Sequence, residues 1–194
     1  MEDAALLEAL RAGDPQAWRR SMQANLPALI GYAQRMTGDR ASAEEVVQEA
    51  LVTVFRSLDR FEGQCSFRTW MFRAVRFRAL DFLRGRDRFV SMDLDDPMAG
   101  AFDDKGHWAA PPVDWGVDLD NKIDAQRALA QVRRQVDKLP HDLREVFLMR
   151  EVHGLSGAEV CAALEITPEN ARTRLHRARK QLRSMVHRAI TEGV

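Results

Sequence analysis

A cluster of basic and hydrogen-bonding residues near the C-terminus has the chemistry needed to bind a nucleic acid. If this stretch is helical, at about 100° per residue, one of its faces is apolar. That face comprises Ala171, Leu175, Ala178 and Leu182. The remaining surface carries Arg172, Thr173, His176, Arg177, Arg179, Lys180 and Arg183. Such a helix suits the major groove of DNA, so we predict base-edge contacts for the first four of these residues and phosphate contacts for the last three.

Two helix-start signals position this cluster. Ser156 and Glu159 have the spacing of a capping box, with Ser156 as the N-cap. Thr167 is placed as the N-cap of the next helix, and Pro168 suits its first turn. Two capped helices joined by a short turn at Glu165 predict a helix-turn-helix. Arg174 borders the apolar face of the second helix, which leaves its role open between a structural ion pair and a DNA contact.

The charges along the 194-residue chain are unevenly distributed although the net charge is zero. Residues 1–90 carry 14 basic and 12 acidic side chains, and residues 125–194 carry 13 basic and 8 acidic ones. Between them, residues 91–124 carry 2 basic and 9 acidic side chains. Two basic segments around an acidic one suggest two modules on a linker, with an anionic partner for the modules.

Helical periodicity accounts for most of the chain, and no segment alternates like a strand. The pattern predicts helices over about 3–11, 15–36, 41–58, 66–84, 121–138 and 140–153. Pro27 is expected to bend or split the second of these, and Phe55 falls in the apolar stripe of the third. We therefore predict an all-α fold with two small helical domains, residues 1–90 and 121–194. An acidic linker containing proline and glycine joins them at 91–120, and the C-terminal domain holds the helix-turn-helix.

Composition excludes several classes of protein. The two cysteines, Cys65 and Cys161, cannot form a disulfide scaffold or a CxxC-type zinc site, which fits a cytoplasmic location. No apolar run approaches the ~18 residues of a membrane span, and the N-terminus lacks the apolar core of a signal peptide. We expect no membrane insertion and no cofactor.

Three motifs in the C-terminal part resemble the promoter −35-binding domain of bacterial sigma factors, and most of all the extracytoplasmic-function class. They are residues 144–150 (REVFLMR), 154–156 (GLS) and 174–183 (RLHRARKQLR). In the N-terminal part, residues 43–49 (AEEVVQE) resemble the polymerase-binding helix of that class. Residues 66–71 (SFRTWM) and 81–84 (DFLR) resemble the segment that melts and reads the −10 promoter element. The resemblance implies a sigma factor that binds core RNA polymerase, recognises −10 and −35 elements and aids strand opening.

The resemblance, together with the chemistry of the side chains, also indicates site residues in the N-terminal part. The polymerase-binding residues are Glu45, Gln48 and Glu49. The −10 residues are Arg68, Phe72, Arg73, Arg76, Phe77 and Arg84, because cations hold a phosphate backbone and exposed aromatic rings stack on unpaired bases. The partners it implies are core RNA polymerase and promoter DNA, and whether an anti-sigma factor restrains the chain is left open.

The chain departs from the family pattern at two informative positions. Phe77 stands where the family usually has an asparagine in the −10 helix. Glu165 stands where a glycine is common in the turn, which costs roughly 1 kcal/mol if its φ is positive. Neither departure breaks the pattern.

Two other functions are compatible with parts of the sequence, and the role of the linker is open. A stand-alone helix-turn-helix regulator would have a similar C-terminal part, but it would not need the N-terminal motifs. An enzyme would have to use Asp103, Asp104 and His107 as a metal or acid–base cluster, in a segment without a rigid surrounding shell. We therefore expect a protein that is not an enzyme. The aromatic and acidic residues of 92–116 suggest either a flexible tether or a segment that occupies the polymerase channel.

Overall fold

The computed structural model describes residues 2–87, 132 and 134–191, and every regular element among them is helical. In the N-terminal half, α1 spans Glu2–Arg11, α2 Pro15–Thr37, α3 Arg40–Arg56 and α4 Phe67–Asp87, with a short 3-10 turn at Leu58–Arg60. The all-α prediction is confirmed. The predicted linker at 91–120 lies outside the described residues, and so do Asp103, Asp104 and His107.

Local signals fix the ends of these helices. Asp14 caps α2 by accepting a hydrogen bond from the Gln16 backbone N–H at 2.8 Å, with Pro15 in the first turn. Gly38 ends α2 at a φ of 93°, which a residue with a side chain rarely adopts. Asp39 then caps α3 through the Ser42 N–H at 2.8 Å. α2 and α3 therefore meet at a sharp corner and pack against each other and against α4.

Pro27 does not split α2, which is continuous from Pro15 to Thr37. Because proline lacks an N–H, the carbonyl of Gln23 loses its helical partner. Both residues are exposed, so water can solvate that carbonyl. The helix beyond is anchored by Leu29 and Tyr32, whose side chains are completely buried. Tertiary packing thus overrides the local break that Pro27 predicts.

The C-terminal half contains a short helix, a π-helical turn and the helix-turn-helix. Residues 132 and 134–136 are helical, α5 spans His141–Phe147, and the π-helical turn covers Leu148–Val152. α6 spans Gly157–Leu164 and α7 spans Pro168–Thr191. α7 packs on α5 and α6, while α6 also packs on α4. The two halves therefore contact each other, and the residues at their contact belong to the site described next.

Candidate nucleic-acid and polymerase interfaces

The turn between α6 and α7 is built as the sequence predicts. The Glu159 N–H donates to Ser156 Oγ at 3.2 Å, and the Glu159 carboxylate accepts from the Ser156 N–H at 2.8 Å. At the start of α7, Thr167 Oγ1 accepts from the Asn170 N–H at 3.2 Å. Glu165 ends α6 in the left-handed region, with φ 56° and ψ 43°. The backbone at this residue therefore meets the condition, a positive φ, under which a glycine would be less strained than a glutamate.

α7 separates apolar from cationic residues as predicted. Ala171, Ala178 and Leu182 are buried against the C-terminal core. Arg172, Thr173, His176 and Arg179 are exposed, whereas Arg177, Lys180 and Arg183 are half-buried. Partial burial lowers the pKa of His176, and the nearby Arg183, Lys180 and Arg179 lower it further. His176 is therefore neutral at pH 7 and presents a hydrogen-bonding ring within a cationic surface.

Two of the arginines on α7 have acidic partners in the C-terminal half. Arg174 lies 3.7 Å from Asp142, which favours the structural ion pair over a DNA contact. Arg179 pairs with Glu151 at 2.6 Å, and both side chains remain partly accessible. Sequence analysis missed Glu151, because the π-helical turn that brings it to Arg179 has no simple periodic signal. Arg179 can reach a phosphate only in competition with this carboxylate.

Phe77 on α4 combines exposure with flanking cations. Its ring is 42% exposed, and the guanidinium carbons of Arg73 and Arg76 lie 5.7 and 5.8 Å from the ring centroid. An open groove of about 830 Å³ runs between α3 and α4 and includes Phe77, Trp70 and Arg73 in its lining. Exposed aromatic rings can stack on unpaired bases, and guanidinium groups beside them can bind phosphate.

Phe72 occupies a different environment from Phe77. It is completely buried, with its ring centroid 5.6 Å from that of Tyr32 and 5.3 Å from that of His153. In this arrangement Phe72 cannot stack on a base. A DNA contact for Phe72 would require His153, which belongs to the C-terminal half, to move away.

Three of the four −10 arginines are bound by acceptors from the C-terminal half. Arg68 donates to the His153 carbonyl at 2.7 Å, Arg76 Nε donates to Glu145 at 2.7 Å, and Arg73 pairs with Glu165. The fourth, Arg84, is highly exposed and lies 3.5 Å from Asp81 on its own helix. The sequence contained no signal for these long-range partners.

The predicted polymerase face of α3 is exposed in two of its three residues. Glu45 and Gln48 are exposed, whereas Glu49 is half-buried and pairs with Arg78 of α4. The hydrogen bond from Arg78 lowers the pKa of Glu49, which keeps the carboxylate charged.

The prediction that Phe55 lies in the core is wrong, because its side chain is 63% exposed. α3 therefore presents an exposed aromatic ring near its C-terminal end, beyond the acidic and amide positions.

The described part of the chain contains no cluster of three or more His, Cys, Asp or Glu residues that could hold a metal ion. None of its helices combines the length and apolarity needed to cross a bilayer.

Comparison with known proteins assigns a family to each half. Residues 22–89 match the model of sigma-70 region 2, and residues 129–182 match that of sigma-70 region 4. The chain is 30% identical over 190 residues to the ECF RNA polymerase sigma-E factor of Escherichia coli K12, covering 96% of this chain and 95% of that protein. It is also 30% identical over 168 residues to a probable RNA polymerase sigma factor of Haemophilus influenzae, covering 84% of this chain and 86% of that one.

Solved structures show the same fold. The structure of CnrH in complex with the cytosolic domain of CnrY superposes with a TM-score of 0.66 at 22% identity, covering 95% of this chain and 97% of that one. The sigma factor RpoE of Bartonella quintana, in complex with the anti-sigma factor NepR, superposes with a TM-score of 0.63 at 23% identity, covering 88% and 96%. With the two matched regions in family order and the relatives matched over nearly their whole length, the chain belongs to the extracytoplasmic-function RNA polymerase sigma factors, which bind core RNA polymerase and direct it to promoters.

Proposed function

We propose that three surfaces of this sigma factor have separate functions in transcription initiation. The N-terminal turns of α7 read the −35 element, the arginine and aromatic face of α4 binds the −10 element, and the exposed face of α3 docks on core polymerase. The geometry of α7 carries the proposal. Its apolar residues are buried, while Arg172, Thr173 and His176 are exposed together near its N-terminal end, where a recognition helix meets base edges.

For the −35 element, base contacts are assigned to Arg172, Thr173, His176 and Arg177. Arginine donates two hydrogen bonds to guanine O6 and N7, and each such contact contributes about 1–3 kcal/mol of discrimination. Arg179, Lys180 and Arg183 lie further along α7 and are assigned to phosphate, which adds affinity without sequence preference.

For the −10 element, Phe77 is the base-stacking residue that the exposed surface of α4 supports best. Phe77 replaces the asparagine common in the family, so its contact with a base relies on stacking rather than on side-chain hydrogen bonds. Arg73 and Arg76 beside the ring, with Arg68 and Arg84 on the same helix, are assigned to the phosphates of the opened strand.

For core polymerase, Glu45 and Gln48 present carboxylate and amide groups that pair with cationic partner helices. Replacing Glu45 with Lys and Gln48 with Ala should weaken polymerase binding without unfolding the chain, since both side chains are exposed. Glu8→Lys, a charge change of the same size on α1, is the control. Native circular dichroism with unchanged polymerase affinity would refute the docking face.

Transcription in vitro is the test of the proposal as a whole. The purified chain is combined with core RNA polymerase on a library of promoter sequences, and the transcribed templates are sequenced. We expect enrichment of two spaced elements. A stand-alone regulator would instead bind DNA without retaining core polymerase in a pull-down, and would enrich no −10 element.

We further propose that the protein acts in the cytoplasm beside RNA polymerase, as a non-enzymatic initiation factor. Two solved structures with this fold are complexes, one with the cytosolic domain of CnrY and one with the anti-sigma factor NepR, which supports a search for a similar partner here. Affinity purification of the tagged chain from its own cells, with and without core polymerase depletion, would test for that partner.

A further inference from the structure

We propose that α1 is a positioning element of the −10 surface, by which we mean the arginine and aromatic face of α4. Arg11 holds the loop at 61–66, which precedes α4, and through this loop it sets the orientation of the Trp70 ring. The inference rests on the proposed −10 role of α4. It deepens that role, because it assigns a function to a helix that none of the three proposed surfaces includes.

The loop at 61–66 joins the 3-10 turn to α4 and has no regular secondary structure. Its polar backbone groups therefore need partners outside a helical hydrogen-bond pattern. Gly63 has a φ of 77°, and Glu62, Gly63 and Gln64 are exposed. Ordering such a segment costs conformational entropy, so the position of the loop depends on the elements that anchor it.

α1 supplies two contacts that anchor this loop. The Arg11 guanidinium donates a hydrogen bond to the Phe61 carbonyl, 50 positions along the chain. Leu7 lies against Gly63, since a Cβ atom at that glycine would be 3.8 Å from Leu7 Cδ1. Leu7 and Leu10 are buried, so α1 itself is fixed to the core. A charged donor on a fixed helix therefore holds the backbone of the loop.

The Phe61 side chain connects the loop to α4. Its ring stacks on that of Trp70, with the centroids 4.3 Å apart and the planes 10° from parallel. Phe61 is buried, whereas Trp70 is half-buried. Because stacking stabilises an aromatic pair beyond the area that it buries, Phe61 restricts the orientation of the indole. A shift of the Phe61 backbone would therefore change the face that Trp70 presents to solvent.

Trp70 lies where two openings of the −10 surface meet. It lines the groove of about 830 Å³ between α3 and α4, which also includes Phe77. It also lines a second cavity, of about 450 Å³, together with Phe61 and Gln64 of the loop. Arg73 borders both openings. The orientation of Trp70 thus determines the shape of both, and the shape of a pocket helps to select the unpaired base that it accepts.

A purely structural role for Arg11 predicts a different result from a positioning role. Arg11 is an exposed residue, so its replacement removes little packing. If the hydrogen bond to Phe61 only stabilised the fold, its loss would weaken recognition of the −10 and −35 elements equally. If it positions Trp70, its loss should change recognition of the −10 element alone.

The experiment compares the wild type with R11A, R11K and R19A, each combined with core RNA polymerase. Arg19 is an exposed residue of α2, so R19A controls for the loss of one positive charge. R11K retains a charged donor for the Phe61 carbonyl. Each holoenzyme selects duplex templates from a library randomised in the −10 and −35 regions, and the selected templates are sequenced. Fluorescence anisotropy then measures affinity for the single −10 strand that the wild type selects.

Trp70 fluorescence tests the intermediate step. The chain has four tryptophans, so a background with W18F, W108F and W115F leaves Trp70 alone. Acrylamide quenching in this background measures how accessible the Trp70 ring is. R11A should increase the quenching constant, and R19A should leave it unchanged.

We expect R11A to lower affinity for the selected −10 strand by about two- to tenfold, which is the factor that the loss of one aromatic stack represents. R11A should also weaken base preference within the −10 element. The −35 preference should stay the same, because it depends on α7. R19A should match the wild type, and R11K should retain most of the wild-type affinity.

Unchanged −10 affinity and base preference in R11A would overturn the proposal, whatever the quenching shows. Equal losses at the −10 and −35 elements would overturn it too, and so would a loss in R11K as large as that in R11A. Selection of no −10 element by the wild type would instead refute the proposed function of α4, and the role of α1 would fail with it. The wild type and the variants therefore distinguish the two failures.

Discussion

Glu165 offers a measurable consequence of the backbone at the helix-turn-helix. It ends α6 with φ 56° and ψ 43°, a conformation that glycine adopts without strain. Glu165→Gly should therefore relieve the turn. The same change also removes the ion pair with Arg73, so the effect of the backbone must be separated from that of the charge. Glu165→Ala removes the ion pair but keeps the Cβ atom, which makes it the matched reference.

The difference between the two variants can be estimated from the geometry. A non-glycine residue in the left-handed region costs about 1–2 kcal/mol. Glycine gives back about 0.4–1 kcal/mol, because it makes the unfolded chain more flexible. Glu165→Gly should thus be about 1 kcal/mol more stable than Glu165→Ala. The ion pair is exposed, with side-chain exposures of 38% and 51%, so its loss should cost both variants about 0–1 kcal/mol equally.

Native-state hydrogen exchange of the α6 and α7 amides is the assay, because the two halves need not unfold in a single step. An increase of about 1 kcal/mol in opening free energy corresponds to roughly fivefold slower exchange in Glu165→Gly than in Glu165→Ala. Exchange that is equally fast in both variants would show that the turn is not strained. Faster exchange in Glu165→Gly would show that unfolded-state flexibility outweighs the strain.

The other predictions concern single side chains. Arg172→Ala should reduce transcription from the cognate promoter, with a loss of about 1–3 kcal/mol in promoter binding, and should relax the preference at one base pair. Arg183→Ala should weaken binding to all promoters alike and reduce the slope of log affinity against log salt concentration by about one unit. Transcription across single-base promoter variants and salt concentrations distinguishes the two effects. Glu151→Gln should raise DNA affinity by up to about fivefold because it frees Arg179, and should have no effect when Arg179→Ala is also present. Burial, with Arg68 nearby, lowers the pKa of His153 from 6.5 to about 4. The folded chain therefore binds fewer protons at His153 than the unfolded chain between these pH values, and it is destabilised as pH falls from 6.5 to 4. The midpoint of urea denaturation should fall over this range for the wild type and should fall less for His153→Gln.

Local signals in the sequence predicted the parts of the site that depend on neighbouring residues. The capping box of Ser156 and Glu159 and the cap at Thr167 each join residues three positions apart, so both partners can be identified from their spacing in the sequence. The buried face of α7 follows from helical geometry alone. Because the caps and the buried face set the start and orientation of α7, the helix-turn-helix and its cationic surface were predictable.

Features that depend on distant residues were not predictable in the same way. Tyr32 and Glu145 are 113 positions apart, and no periodicity pairs them. Helical periodicity placed Phe55 on an apolar stripe, but it could not show whether another element covers the ring. Phe72 and Phe77 both appeared as base-stacking candidates in the sequence. The structure separates them, because only Phe72 has neighbours on α2 and beside α6.

Residues 125–194 are basic overall, but their acidic and basic side chains lie on different surfaces of the C-terminal half. Seven of its basic residues lie on α7: Arg172, Arg174, Arg177, Arg179, Lys180, Arg183 and Arg188. The carboxylates of Glu145, Glu159 and Glu165 instead receive hydrogen bonds from α4. The net charge of the segment does not show this separation, because it sums the cations of α7 with the carboxylates that bind α4.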